Sequence, residues 1–119
     1  MHDNLVDTKS RDFAIRIVNI YKYLSSERKE YVLSKQLLRS GTSVGANIRE
    51  ARYGQSKADF ISKMSIALKE ISETEYWIDL LHTTGYINAR EYESINLDCT
   101  ELIRLLTAIV ITSKINSNC

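Results

Sequence analysis

The sequence predicts an all-α protein: one antiparallel, up-down-up-down four-helix bundle that occupies residues 1–119 as a single domain. Its 119 residues are enough for one domain with one hydrophobic core. The absence of proline and the presence of only four glycines indicate long, uninterrupted elements. Apolar residues recur at spacings of three and four along four segments, and the short connections between the segments favour antiparallel neighbours.

The first two helices are predicted over residues 8–24 and 27–53. The first has one apolar face, made of Val6, Phe13, Ile17, Ile20 and Leu24. The segment "SSERKE" interrupts this periodicity, and Ser25 or Ser26 is placed to cap the second helix. The apolar face of the second helix consists of Leu33, Leu37, Val44, Ile48 and Ala51.

The third helix is predicted over residues 57–84. Gly54 ends the preceding helix, and Ser56 with Asp59 forms a start that resembles a capping box. Its inward face carries Phe60, Met64, Ala67, Ile71, Ile78 and His82. Gly85 fits the left-handed position that follows a helix end.

The fourth helix is predicted over residues 89–115, where Asn88 and Glu91 repeat the capping-box pattern. Ile87, just before it, is placed to make the apolar contact that accompanies a glycine cap. The buried face of this helix consists of Tyr92, Ile95, Cys99, Leu102, Leu106 and Val110.

The stretch "LLRSGTSVGANIREARYG", residues 37–54, holds three of the four glycines and invites comparison with a phosphate-binding loop. A Walker A loop needs a lysine after its last glycine and a strand before its first, and this stretch has neither. On a helix, Gly41 falls on the apolar face and Gly45 at its edge. We therefore predict that these glycines allow two helices to approach closely.

No set of residues in the sequence is typical of an active site, so we expect a protein that is not an enzyme, with no catalytic residue, cofactor or metal. His2 and His82 are the only histidines, and Cys99 and Cys119 have neither zinc-site nor disulfide spacing. "DLLH", which ends at His82, is one imperfect match to the Glu-x-x-His motif of di-iron bundles. A structural histidine at the edge of the core is the favoured interpretation.

Glu75 is the acidic residue beside the core face of the third helix. In an antiparallel hairpin it comes level with Ser34, Lys35 and Leu38 of the second helix. We favour a buried or half-buried ion pair over general-base chemistry at this position.

Nothing in the sequence predicts a membrane partner. The most apolar stretch, "LIRLLTAIVIT", contains Arg104 and is too short to span a bilayer. The first residues, "MHDNLVDTKSRD", are charged and lack the apolar region of a signal peptide. We expect a cytoplasmic location.

Positive charge is concentrated in the second quarter of a chain whose net charge is only +1. The candidate nucleic-acid-binding residues there are Arg28, Lys29, Lys35, Arg39, Arg49, Arg52 and Lys57. Residues 59–84 are acidic, which leaves a second interpretation open. In an antiparallel hairpin the cations can be neutralised internally, by pairing Arg39 with Glu70, Lys35 with Glu73 and Arg49 with Asp59.

The third and fourth helices have more apolar surface than one core requires. The candidate oligomer-interface residues are Ile66, Trp77, Leu80, Leu97, Ala108 and Ile111. A helix that is apolar on two sides is usually buried on two sides, so we expect a homo-oligomer.

The run "QLLRSGTSVGANIREARYGQSKADFISKMSIALKEISETEYWIDLL" resembles the four-helix-bundle proteins encoded in intervening sequences of bacterial 23S rRNA genes, also called S23-type proteins. The resemblance is carried by "SV-x-ANI-x-EA" and by "SK-x-DFI", "SIAL" and "SE-x-EY". It implies a pentameric ring and supplies no catalytic residue. It also implies a relationship to the accessory variability determinant of diversity-generating retroelements, a basic pentamer that binds nucleic acid and works with a reverse transcriptase.

Two functions follow from these observations. The first is a non-enzymatic, homo-oligomeric bundle that binds RNA or DNA weakly through the basic residues of the second helix. The alternative is a protein-interaction scaffold that docks a partner such as a reverse transcriptase and does not itself bind nucleic acid.

Overall fold

The computed structural model describes residues 5–117 of the chain. It contains four α-helices, α1 (Leu5–Ser26), α2 (Leu33–Arg52), α3 (Lys57–Thr83) and α4 (Ala89–Ser117). No strand occurs in this range, so the prediction of an all-α, four-helix fold is confirmed. The third and fourth helices differ from the predicted ranges, 57–84 and 89–115, only where they end.

The four helices pack in a closed cycle. α1 is adjacent to α2, α2 to α3, α3 to α4, and α4 to α1, whereas the backbones of the diagonal pairs, α1 with α3 and α2 with α4, are not adjacent within residues 5–117. The face formed by α1 and α2 therefore lies opposite the face formed by α3 and α4. Two ion pairs join α2 to α3. Arg39 of α2 pairs with Glu70 of α3, and Glu50, which comes later in α2, pairs with Lys63, which comes earlier in α3.

The core is built from apolar side chains of all four helices. The predicted inward residues that are buried are Val6, Phe13, Ile17, Leu24, Leu37, Val44, Ile48, Ala51, Met64, Ala67, Ile71, Ile78, Ile95, Cys99, Leu102, Leu106 and Val110. Four others, Ile20, Leu33, Phe60 and Tyr92, pack against this core but stay partly exposed. Burying one Leu, Ile or Phe side chain contributes about 1.5–3 kcal/mol, so this cluster dominates the stability of the bundle.

The start of α2 differs from the prediction, because the helix begins at Leu33 and not at residue 27. The buried Glu30 carboxylate accepts hydrogen bonds from the backbone N–H groups of Val32 (3.2 Å), Leu33 (3.0 Å) and Ser34 (2.7 Å). Burial alone would raise the pKa of Glu30, but these hydrogen bonds outweigh it and lower the pKa. The Glu30 carboxylate therefore caps α2 at its observed start, six residues after the predicted one.

Ser25 and Ser26, predicted as caps of the second helix, belong to the end of the first. Their hydroxyl groups donate to backbone carbonyl oxygens of Tyr21 (2.9 Å) and Lys22 (2.6 Å) within α1. α1 therefore runs to Ser26 and not to residue 24. It also begins at Leu5, earlier than the predicted residue 8.

The other predicted helix caps are confirmed. The Ser56 hydroxyl accepts from the Asp59 backbone N–H at 3.0 Å. Asn88 and Glu91 exchange backbone-to-side-chain hydrogen bonds of 2.8 and 3.2 Å, a capping box at the start of α4. Gly85 has a φ of 88°, the left-handed conformation expected of the residue that ends α3.

The glycine-rich stretch is helical through residue 52 and lies against α1. A Cβ atom at Gly41 would lie 2.8 Å from Cγ1 and Cγ2 of Ile17, which is closer than side-chain carbons pack. At Gly45 the same atom would lie 3.4 Å from Oγ of Ser10. Gly41 thus allows the close approach of α1 and α2, as predicted, whereas at Gly45 an added carbon would be at ordinary contact distance. Neither glycine belongs to a phosphate loop, because both lie within α2.

Candidate nucleic-acid interface

Three of the seven predicted nucleic-acid-binding residues are held by other parts of the chain. The guanidinium of Arg28 donates to the backbone oxygens of Tyr86 (2.8 Å) and Gly85 (3.2 Å) and lies over the Tyr86 ring. Arg52 forms a two-pronged ion pair with the carboxylate of Asp7, at 2.6–3.1 Å. These contacts tie the α1–α2 and α3–α4 connections together and fasten the end of α2 to α1.

Arg39 is the third engaged cation. Its guanidinium bridges Glu70, at 3.3 Å, and Glu73, both on α3. The indole Nε1 of Trp77 donates to the same Glu73 carboxylate at 2.9 Å. The predicted pairing of Arg39 with Glu70 is therefore confirmed, and the carboxylate of Glu73 is occupied as well.

The two other internal pairs that the sequence predicted are wrong. Glu73 contacts Arg39, which lies one turn further along α2 than the expected partner, Lys35. Asp59 does not pair with Arg49, because its carboxylate turns back to accept the backbone N–H of Gln55 at 3.3 Å.

The remaining four candidates, Lys29, Lys35, Arg49 and Lys57, are exposed and form no ion pair within residues 5–117. They do not converge on one point. Lys29 and Lys35 lie near the start of α2, whereas Lys57 follows its end, so about 30 Å of helix separates the two groups. Arg49 lies between them, on the side of α2 that faces α1.

Arg49 lines a groove of about 480 Å³ between α1 and α2. The lining residues are Asp7, Thr8, Ser10, Arg11, Ala14, Thr42, Gly45, Ala46, Ile48 and Arg49. Most of these side chains are small, and a recess remains because Gly45 and Ala46 offer nothing to fill it. The volume lies within the range of about 300–1,000 Å³ that is usual for ligand sites.

Arg11 is a groove residue that the charge distribution along the sequence did not predict. It is exposed, lines the groove together with Arg49, and has no ion pair in the described part of the chain. It escaped notice because the second quarter of the sequence is basic and the first is not. The small residues Ser10 and Ala14, one turn apart on α1, were the available signal that α1 faces the glycines of α2.

The opposite side of α1 carries cations that are neutralised. Lys9 pairs with Glu101 at 3.1 Å, and Arg16 pairs with Asp98 at 2.7 Å. The cavity on this side is lined by Lys9, Asp12, Phe13, Asp98, Glu101 and Leu102, and three of these six residues are acidic. This side of α1 is therefore not favourable for a polyanion.

No grouping of side chains in the described range matches a catalytic or metal site. Within residues 5–117 no three His, Cys, Asp or Glu side chains are placed to hold a metal ion. His82 is half-buried and stacks on Tyr92, with ring centroids 4.3 Å apart. Burial, with the charges of Glu75 and Asp98, raises the pKa of the Cys99 thiol, so it stays protonated and is a poor nucleophile.

The predicted ion pair of Glu75 is absent from the described part of the structure. The residue is half-buried, and it lies near enough to Cys99 of α4 to influence that thiol. No cation lies within 4 Å of its carboxylate in the described residues, so the expected pair with Lys35 does not form.

The predicted oligomer-interface residues differ in exposure. Leu97 is 71% exposed, and Ile111, Ala108 and Ile66 are also exposed. Trp77 and Leu80 are half-buried, and Trp77 packs against the core of its own bundle. The exposed part of this set lies mainly on α4, on the side away from the core.

The fold and the site define a four-helix, all-α protein with no recognisable catalytic centre in residues 5–117. The chain belongs to the family of 23S rRNA-intervening sequence proteins, whose family model matches residues 2–108. The resemblance inferred from the sequence is thereby confirmed. Within residues 5–117, none of the four helices combines the length and the hydrophobicity that a membrane span requires.

The chain is similar to a protein of unknown function from the S23 ribosomal protein family of Bacteroides thetaiotaomicron, whose crystal structure is known. The two share 61% sequence identity with a TM-score of 0.88, over 89% of this chain and 98% of the other. No curated protein matches this chain.

Proposed function

We propose that the protein is a non-enzymatic, homo-oligomeric helical bundle that binds RNA or DNA weakly through the exposed cations of α2 and the adjoining part of α1. The observation that supports this most is the state of these cations. Lys29, Lys35, Arg49 and Lys57 form no ion pair in the described part, although the chain supplies nearly as many acidic as basic residues. Unpaired, exposed cations are available to phosphates.

The binding should be weak because three of the seven cations are already engaged. Arg39 is neutralised by two carboxylates and Arg52 by one, while Arg28 holds backbone oxygens. Only a few phosphate contacts per copy remain, and affinity for nucleic acid rises with the number of such contacts. Repetition of the site in an oligomer would increase the overall affinity.

Titration of labelled single-stranded and structured RNA at several salt concentrations tests this function. Binding that depends on phosphate contacts weakens steeply as salt rises, with a slope of about −0.7 per contact for single strands. We expect binding at about 50 mM salt that is lost by several hundred millimolar. No binding at about 50 mM salt would contradict the proposed function.

We further propose that the helices run up-down-up-down and that the bundle assembles as a ring, a pentamer by resemblance to the family. The ion pairs between α2 and α3, whose residue numbers rise on one helix and fall on the other, support the antiparallel arrangement. The exposed Leu97, Ala108 and Ile111 of α4 support self-association, because apolar side chains opposite the core gain from a second burial.

Light scattering at micromolar concentration tests the assembly. We expect a mass several times 13.7 kDa for the wild type. The double variant Leu97→Asp and Ile111→Asp should shift the mass toward one copy, whereas Arg90→Gln, an exposed change on the same helix, should not. A wild-type monomer would contradict self-association.

A scaffold that docks a partner protein is the second candidate, and the pairing of Arg39 with Glu70 and Glu73 favours it, because paired cations are unavailable to phosphates. A pull-down from the native host distinguishes the two functions. Recovery of a polymerase that persists after nuclease treatment, together with no RNA binding by the purified protein, would favour the scaffold.

A further inference from the structure

We propose that the groove between α1 and α2 takes the sugar–phosphate backbone of a single-stranded nucleic acid, with phosphates at Arg11 and Arg49 and a base stacked on Tyr53. This inference rests on the proposed function and deepens it, because it names the form of nucleic acid and the residues that hold it.

The shape of the groove fits an extended chain. Two helices form its walls, and their close approach at Gly45 and Ser10 closes its floor. Thr8, Ala14 and Ala46 line it with little bulk. A backbone of about one nucleotide's width can enter such a recess, whereas the convex surface of a duplex can touch only its rims.

The charge of the groove fits an anion. Arg11 and Arg49 line it, are exposed, and have no acidic partner within residues 5–117. The acidic residue in the lining, Asp7, accepts hydrogen bonds from Nε and Nη2 of Arg52, so its negative charge is balanced and repels a phosphate little. The groove therefore carries an excess of two positive charges, enough for two phosphate contacts per copy.

An exposed aromatic ring stands beyond one end of the groove. Tyr53 follows Arg49 by four residues, about 6 Å along the helix axis. It is 82% exposed, which is unusual for so large a ring. Single-stranded binding proteins combine a cationic groove with aromatic rings on which unpaired bases stack, and the bases of a duplex are not free to do so.

The test is equilibrium binding of a labelled 12-nucleotide single-stranded RNA and of a duplex of the same length. At about 0.1 M salt, Arg11→Gln and Arg49→Gln should each weaken single-strand binding about fivefold, because each loses one phosphate contact. Tyr53→Leu should weaken it about fivefold or more, since one stacked base is lost. Arg90→Gln, an exposed change of equal charge on α4, serves as the matched control and should have little effect.

A variant that is expected to bind more tightly distinguishes the loss of a phosphate contact from damage to the fold. Asp7→Asn leaves the positive charge of Arg52 beside the groove no longer balanced by Asp7, so the net charge there rises by one and single-strand binding should tighten severalfold. A variant that only damaged the fold would weaken binding. Thermal unfolding of each variant checks that the bundle is intact.

The outcomes separate this inference from the proposed function. Single-strand binding that is weakened by the groove variants and tightened by Asp7→Asn supports both. Binding that the groove variants leave unchanged, or that favours the duplex, overturns the groove while the nucleic-acid function stands. No binding of either RNA overturns both.

Discussion

α1 packs against two neighbours, and the two contacts are built from different materials. Toward α2, the contact is made by small residues, and the buried Ile17 side chain packs directly against the backbone of Gly41. Toward α4, two ion pairs cross the contact, Lys9 with Glu101 and Arg16 with Asp98. The α1–α2 contact is therefore tight and has an open groove beside it, whereas the α1–α4 contact is bridged by ion pairs.

This difference decides which cations are available. Lys9, Arg11 and Arg16 lie within two turns of one helix, yet the first and the last are neutralised by α4 and the middle one lines the α1–α2 groove. Local charge counts along the sequence treat all three alike. The neighbouring helix, and not the residue type, determines whether a cation can bind a ligand.

The largest expected effect is on the packing of α1 against α2. Gly41→Ala should lower the free energy of unfolding by about 2 kcal/mol, because overpacking against the stiff Ile17 side chain outweighs the gain in helix propensity. Gly45→Ala, where the added carbon has ordinary room, should be neutral or slightly stabilising. Urea denaturation of both variants measures the difference. Equal stability of the two would contradict the tight contact at Gly41.

The next largest effect on the free energy of unfolding should come from Glu30, which caps the start of α2. Glu30→Ala should cost about 1–2 kcal/mol, because three backbone N–H groups lose their acceptor. Denaturation at pH 7 measures this, with the exposed Glu93→Ala as a control that should change little.

The same residue predicts a pH dependence. The pKa of Glu30 is lowered in the folded state, so its contribution is complete above the ordinary value of 4.5 and is lost as pH falls through the lower folded-state pKa. Between pH 7 and pH 3 the wild type should therefore lose more stability than Glu30→Gln. Parallel losses in the two proteins would rule out this role for the carboxylate.

The smallest effect should come from the α1–α4 contact. Arg16 and Asp98 are each 39% exposed, and pairs of this kind contribute about 0.5 kcal/mol. A double-mutant cycle with Arg16→Gln and Asp98→Asn measures the coupling, which should fall further in about 1 M salt. A coupling of several kcal/mol would mean that the two contacts of α1 are more alike than the geometry indicates.

The sequence predicted most of the fold, because apolar periodicity and helix caps are local signals. Ser56, Asn88 and Gly85 could each be recognised from their neighbours. The start of α2 was predicted wrongly, because a glutamate cap has no simple sequence pattern, whereas Ser25 and Ser26 match the usual capping residues.

The candidate site was predicted only in part. Arg49 was recognised from charge, but Arg11 was not, because it lies on another helix and joins the site only through the packing of α1 against α2. The partner of Glu73 was displaced by one helical turn, an error that residue counting across a hairpin cannot avoid. Side-chain pairing depends on the axial offset between helices, which the sequence alone does not determine.

Arg11 is available to phosphates and Lys9, two residues away, is not, and the proposed site depends on this difference. Its most direct test is the slope of log affinity against log salt for single-stranded RNA, measured for the wild type, Arg11→Gln and Lys9→Gln. Arg11→Gln should make the slope shallower by about 0.7, the share of one phosphate contact, while Lys9→Gln leaves it unchanged. Equal slopes for the two variants, or a change only with Lys9→Gln, would contradict the claim.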